Sequence, residues 1–368
     1  MRPVFIEWAT LMGRNIRVFL ADRFALSVAL MQVPIITLLV RLAFAGFADD
    51  HADADYFARS IHYFRAEKAP YEAQHTTVPL NEVIAKARQE AKAESNLISL
   101  LAAHRRAAVY FVLVSAAIWL GLMGACKDLV AEQHVLRRET RSCIRIIPCL
   151  LAKFMLHVLV LAPQTVWMAA WIGFGLLALP LQSVLYLWGV LWLTACAAAA
   201  LGLAISGIST NIRLALTLVP LLMIPQLMLG GLLRPPAEPG KDPLARRICE
   251  QLTLQRWGFE AAIIADPHAE QGVVAVEFGS WEEAARYSEL NLIRSRTFGL
   301  MELLFHHHAG QVRDTGVLFR YPLAVLVLMI ICLLTFTGFV VYFRLQRLRR
   351  GVSQWRFLGQ LRLAGKRN

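Results

Sequence analysis

A chain of 368 residues in which 57 % are hydrophobic and 17 % charged falls well short of the roughly 25 % charge of a soluble domain. That composition excludes an ordinary soluble globular protein and points to an integral membrane protein. The formal net charge of +12 would admit a nucleic-acid binder, but its distribution along the chain ties it to membrane orientation instead.

Residues 1–23 form an amphipathic segment. Phe5, Trp8, Met12, Ile16 and Phe19 fall on one stripe at helical spacing with Leu11 and Leu20 beside it, while Glu7, Thr10, Arg14 and Arg17 lie elsewhere around the wheel. An early Trp and basic polar residues suit a helix lying flat in the membrane interface. No small-residue cleavage site follows, so the segment does not read as a secretory signal. Residues 24–47 are the first predicted span, long enough to cross about 30 Å of hydrocarbon. Pro34 is tolerable there as a kink, and Arg41 near the far end can snorkel to the headgroups.

Residues 48–106 form a hydrophilic insert. Its acidic opening (Asp49, Asp50, His51, Asp53, Asp55) offers hard oxygen donors but no EF-hand spacing, and reads as a solvated loop. The second predicted span is 107–125. Residues 126–146 follow, carrying KDLVAEQHVLRRETRSCIR from Lys127 to Arg145. A segment this charged cannot lie in hydrocarbon. Leu129, Val130, Val135 and Leu136 punctuate its charges at roughly helical spacing, which predicts a helix on the membrane surface, open to a soluble partner.

Residues 147–177 are the third predicted span, broken by Pro163. The fourth, 182–207, carries a run of small residues from Ala195 to Ala200, interrupted by Cys196 alone, that lets another helix approach closely. The fifth, 214–233, contains Pro220, Pro225, Gln226 and the Gly230–Gly231 pair. Two prolines five residues apart weaken its backbone hydrogen bonding and predict a bent, pathway-facing element. A second insert, 234–321, leads to the sixth span at 322–343 and a basic tail at 344–368.

Six spans put both ends of the chain on one side. That side carries 18 Lys and Arg against 5 acids, the opposite side 18 against 21. The raw basic counts tie, but the far-side residues sit mainly in two long inserts, where the positive-inside rule has little force. Density therefore places both termini and the charged segment in the cytoplasm, and the charge excess reads as an orientation and anionic-lipid signal rather than one for nucleic acid. Cys126, Cys143 and Cys149 lie on or near that side, Cys196 and Cys332 fall inside spans, and Cys249 alone is placed outside, so no extracytoplasmic disulfide within the chain is expected.

Catalytic motifs are absent. No phosphate-binding G-x-x-x-x-G-K-[ST], no H-E-x-x-H and no G-x-S-x-G occurs. Of the ionisable residues within spans, Arg41 and Lys153 lie near interfaces, and His157 reads as a polar helix contact rather than a proton relay. Three consecutive histidines, His306–His308, point about 100° apart on a helix and cannot chelate one ion together.

Assembled in order, the chain resembles the membrane subunit of ABC-2-type exporters, nearest to bacterial G-subfamily-like permeases. RNIRVFLADRFALSVALMQVPIITLLV resembles that family's connecting helix running into the first span. KDLVAEQHVLRRE resembles its coupling segment, matched at Glu132, Arg137, Arg138 and Glu139. LTLVPLLMIPQLMLGGLLRP resembles its fifth span, and Arg256–Glu260 its R-W-x-F-E segment. The resemblance implies an all-α polytopic membrane protein with six transmembrane helices and an interfacial N-terminal helix, the ABC-2 (type V exporter-like) permease fold.

It further implies a non-catalytic subunit of the bacterial inner membrane, with no cofactor in this chain and ATP and Mg bound by a partner. An ABC ATPase would act in trans, and a second copy, or a paralogous permease, would complete a twelve-span dimer. Closure of the ATPases would push on the N-terminal helix and on Asp128, Glu132, Arg137, Arg138 and Glu139. Trp119, Pro220, Met223, Pro225 and Gln226 would line the path between protomers. The two inserts are larger than a minimal permease needs and leave room for an extracytoplasmic partner. The alternative is a non-transport membrane scaffold presenting those inserts.

Overall fold

The computed structural model describes residues 4–44, 107–135, 146–232, 251–264 and 315–364. The acidic patch at 49–55, Arg137, Arg138, Glu139 and His306–His308 lie outside the described residues. Within them every regular element is a helix. In chain order these are α1 (Val4–Ala21), α2 (Arg23–Ala43), α3 (residues 107–125), α4 (Asp128–Ala131), α5 (Ile146–Gly175), α6 (Leu181–Ile208), α7 (Ile212–Met228), α8 (Leu254–Ile264) and α9 (Thr315–Ala364).

Among the described residues, five stretches are long and apolar enough to cross a membrane: Leu26–Ala43, Ala107–Ala131, Ile146–Gly175, Leu181–Ile208 and Tyr321–Arg344. A sixth apolar helix, α7, has 17 residues, about 25 Å at 1.5 Å per residue, which falls short of the about 30 Å of a hydrocarbon core. The fold is thus an all-helical multi-pass bundle.

At its centre stands α6, which packs against α4, α5, α7, α8 and α9. The small-residue run in α6 explains how it accepts so many neighbours. Ala195 and Ala197–Ala200 are buried, and a Cβ placed on Gly121 of α3 would meet the Ala195 carbonyl oxygen, the Ala198 methyl and the Ala199 amide. One turn further along, a Cβ on Gly202 would come within 3.0 Å of the Ala125 methyl and the Leu122 carbonyl. The two helices touch backbone to backbone, an approach open only to residues without a side chain.

Polar side chains fasten the remaining spans. Gln164 of α5 donates to the Ala29 carbonyl of α2 at 2.7 Å, and Trp192 of α6 to the Val158 carbonyl of α5 at 3.0 Å. Arg41 at the end of α2 lies over the Trp171 ring of α5, 6.0 Å from its centroid. Helix α1 buries Leu11, Met12 and Asn15 and packs on α5, leaving Phe5, Ile6, Val18 and Leu20 exposed. It runs almost without interruption into α2, because the Asp22 amide still reaches the Val18 carbonyl and the Asp22 carbonyl accepts from Leu26.

One element departs from the sequence expectation. Helix α8 falls within the stretch read as a hydrophilic insert, yet every residue in it except Arg256 and Ile264 is buried. Gly258 rests against Thr194, in the middle of α6, and Val114 of α3, and Phe259 meets Phe111 edge to face at 5.4 Å. The helix therefore enters the bundle to the depth of the spans. At 11 residues it is too short to cross a membrane, and it goes in beside α3 and α6 without traversing.

The glycine contacts give a graded expectation for thermal unfolding of the detergent-solubilised protein. Overpacking a core costs about 1–3 kcal/mol, whereas Ala gains up to about 1 kcal/mol over Gly in a helix. Gly121→Ala should lower the melting temperature most and Gly202→Ala less. Gly189→Ala, where a Cβ meets nothing within 4 Å, should leave it unchanged or raise it. Equal melting temperatures for Gly121→Ala and Gly189→Ala would rule out the close approach of α3 and α6.

Candidate functional site

The charged segment after α3 is where sequence and structure converge. Two residues past the end of α3 the chain forms the single turn of α4, whose N-cap, Lys127, supplies no side-chain cap. The first amides of a helix need acceptors, and here a different helix provides one. The Ser206 hydroxyl oxygen of α6 accepts from the Leu129 and Val130 amides at 2.9 and 3.0 Å. Those are the positions a capping side chain would normally satisfy. Leu129 and Val130 are themselves buried, so the turn is seated on α6 by two apolar side chains and two hydrogen bonds.

The acids of the segment face α5. Asp128 Oδ2 lies 2.7 Å from His157 Nε2, and Glu132 Oε2 lies 2.8 Å from Lys153 Nζ. Asp128 and Glu132 are four residues apart, as are Lys153 and His157, so the pairs form two rungs one turn apart, in antiparallel order. The Lys153 side chain is 4 % exposed and that of Glu132 39 %, so a buried ammonium is neutralised by a carboxylate that reaches in from the rim. Gly124 of α3 leaves room beside the imidazole, since a Cβ there would lie 3.5 Å from His157 Nδ1.

A third attachment comes from α9. Arg344 Nη1 donates to the Gly207 and Ser209 carbonyls at 3.0 and 2.7 Å, and Nη2 to Gln133 Oε1 at 3.2 Å. Gln133 Nε2 in turn reaches the Thr210 carbonyl at 3.4 Å. The short segment 127–133 is thus gripped by α5, α6 and α9, and it also packs on α7. What remains on the outside is Lys127, Ala131 and His134, all exposed and, at spacings of four and three, aligned on one face.

The residues read from sequence as path-lining divide. Trp119 is exposed, as are Pro220 and Pro225. Met223 and Gln226 are buried within the bundle. Gln226 Oε1 accepts from the Gln255 amide at 3.1 Å, and Gln255 Nε2 donates to the Phe111 carbonyl at 2.9 Å, linking α7, α8 and α3. Gly230 makes this possible, because a Cβ there would strike Gln255, Phe111 and the Gln226 carbonyl. The coupling candidates also divide: Asp128 and Glu132 point inward, and the other three lie outside the described residues. Sequence reasoning missed Ser206, Gln133 and Arg344, and gave Lys153 and His157 roles of their own rather than as partners of the acids. The i, i+4 spacing shared by both pairs was the available signal.

Among the described residues no group of three or more His, Cys, Asp or Glu is placed to hold a metal ion. The architecture defines a class: a multi-pass helical membrane protein with a charged segment latched across one end of its bundle. Comparison with known families makes this specific. The model of the ABC-2 type transporter family matches residues 6–265, and the chain belongs to that family. It is a permease, the membrane component of an ABC transporter, and the family implies an ABC ATPase as its partner. No curated protein matches the chain. The family match takes in α1 to α8, while α9 lies beyond it.

The Lys153–Glu132 rung carries an asymmetric expectation for stability. Removing one partner of a buried pair leaves an uncompensated charge, whereas replacing the buried charge by an apolar side chain of similar volume is often neutral. Glu132→Gln should therefore destabilise the purified protein, by about 1–3 kcal/mol given the exposure of the carboxylate. Lys153→Met should cost less, and the double variant should match Lys153→Met. Thermal unfolding of the three variants checks this; a Lys153→Met variant less stable than Glu132→Gln would contradict the geometry.

Proposed function

We propose that this chain is the membrane-spanning subunit of an ATP-driven exporter in the bacterial inner membrane, with both termini in the cytoplasm. ATPase subunits supplied in trans bind ATP and Mg, and this chain carries no cofactor of its own. Two permease chains, either two copies or this chain and a paralogue, stand side by side on the ATPases. The single observation that carries the reading is the latch: a charged segment too polar for the bilayer, yet fixed to α5, α6 and α9 by named contacts. A load placed on it reaches three spans at once.

In this mechanism the residues divide by direction. Lys127, Ala131 and His134 offer the outward face on which an ATPase rests, and Arg137, Arg138 and Glu139, later in the sequence, are further candidates for contacting it. Asp128 and Glu132 act as struts that pass the displacement to α5 through His157 and Lys153. Closure of the ATPases presses the segment and α1, which packs on the same α5. Trp119, Pro220 and Pro225, on the outside of the bundle, line the path between protomers. Met223 and Gln226 support it from behind, Gln226 by tying α7 to α8.

The test is a mild-detergent pull-down from native membranes, comparing wild type with Glu132→Arg and Lys127→Glu. Wild type should retain a stoichiometric ATPase. Glu132→Arg sets a guanidinium against the Lys153 ammonium and should keep the ATPase bound while permease-dependent hydrolysis falls. Lys127→Glu should lower the amount retained. Absence of an ATPase from every sample, with the protein intact, would sink this proposal in favour of a membrane scaffold built around the two inserts.

A further inference from the structure

The final helix lies outside the residues that match the family, yet its contacts lead back to the coupling segment. At the near end of α6, a Cβ on Gly207 would lie 3.4 Å from the Val341 side chain and 3.6 Å from that of Thr337, so α6 and α9 run against each other with almost nothing between them. Three residues past Val341, Arg344 projects across the end of α6. Its Nη1 takes the Gly207 and Ser209 carbonyls and its Nη2 takes the Gln133 side-chain oxygen.

Each acceptor has a physical reason to want it. The last carbonyls of a helix lack intrahelical partners and carry the negative end of its dipole, so a cation there satisfies both needs. The planar guanidinium reaches acceptors in two directions from one position, which the point charge of a lysine cannot do. The contact with Gln133 differs in kind. Gln133 lies on the coupling segment, and its amide is held at both ends, by Arg344 at Oε1 and by the Thr210 carbonyl at Nε2. Thr210 sits in the short connection between α6 and α7. One side chain of α9 therefore fixes the segment to the joint where two spans meet, independently of the carboxylate rungs that tie it to α5.

We propose that Arg344 is a positioning residue for coupling: it makes the last span part of the moving device, so that displacement of 127–133 reaches α9 and the α6–α7 joint as well as α5. This rests on the permease reading above, but the tie to the segment can be tested without it. A guanidinium that only anchored α9 to the headgroups would be replaceable by any cation and would leave the segment undisturbed.

The experiment compares wild type, Arg344→Gln and Arg344→Lys in lipid nanodiscs, each with whatever ATPase co-purifies. Two quantities are read: amide hydrogen exchange across 127–135, and permease-dependent ATP hydrolysis relative to the amount of ATPase bound. Loss of charge-assisted hydrogen bonds should speed exchange at Leu129 and Val130 by about tenfold in Arg344→Gln, with exchange across the middle of α6 unchanged as the control for folding. Hydrolysis should fall while the bound ATPase stays constant, and Arg344→Lys should fall between wild type and Arg344→Gln on both counts. Unchanged exchange at 127–135 would overturn the tie whatever the ATPase does. Faster exchange with full hydrolysis would overturn the coupling role. Failure of any ATPase to co-purify, with exchange responding as expected, would remove the permease mechanism and the coupling role with it, while leaving Arg344 as the fastening of the segment.

Discussion

The backbone contact between α3 and α6 is the constraint from which the rest of the charged end follows. Gly121 against Ala195, and Gly202 against Leu122 and Ala125, bring two helix axes closer than side chains would allow. One turn beyond Gly202 comes Ser206, and because the helices are still in contact its hydroxyl meets the Leu129 and Val130 amides. Were α3 and α6 separated by ordinary side chains, those amides would be out of reach and α4 would begin without a cap. A cap is worth about 1 kcal/mol, a large share of what holds a single turn together, since an isolated turn does not form on its own. The local structure of the charged segment is therefore set by the packing of two helices it does not belong to.

Electrostatics then fixes the direction in which the segment faces. A lysine almost wholly buried in an apolar bundle is costly unless paired, and Glu132 is the acid that meets Lys153. With that rung in place, the helical register brings Asp128 to His157. Two of the three acids in the segment are thus committed to the interior, and the exposed face is left to Lys127 and His134 with Ala131 between them. An outward face lacking both acids offers a less negative surface to a docking partner than the raw sequence of the segment suggests.

How much of this could be read beforehand depended on whether the signal was local. The small-residue run in α6 was visible because close helix approach needs small residues at consecutive positions, and that is the helix α3 meets. The burial of α8 was not. Its 11 residues are too few for a span, and turn-forming residues precede it, so it reads as part of the hydrophilic insert. Lys153 and His157 read as a snorkelling cation and an isolated polar contact because their partners lie more than twenty residues earlier, and only the antiparallel docking of 128–132 on α5 brings them together. Arg344 was hidden among the eight basic residues of its tail, where charge density explained it well enough without a specific partner.

Polar contacts of two kinds tie the helices, and they differ in strength. Where α8 enters, α3, α7 and α8 are joined through neutral amides, Gln226 to the Gln255 backbone and Gln255 to the Phe111 carbonyl. Neutral hydrogen bonds between helices in a membrane contribute on the order of 1 kcal/mol each. At the charged end the contacts include a buried ion pair and a guanidinium on helix-end carbonyls, and breaking either strands a charge, which costs several times more.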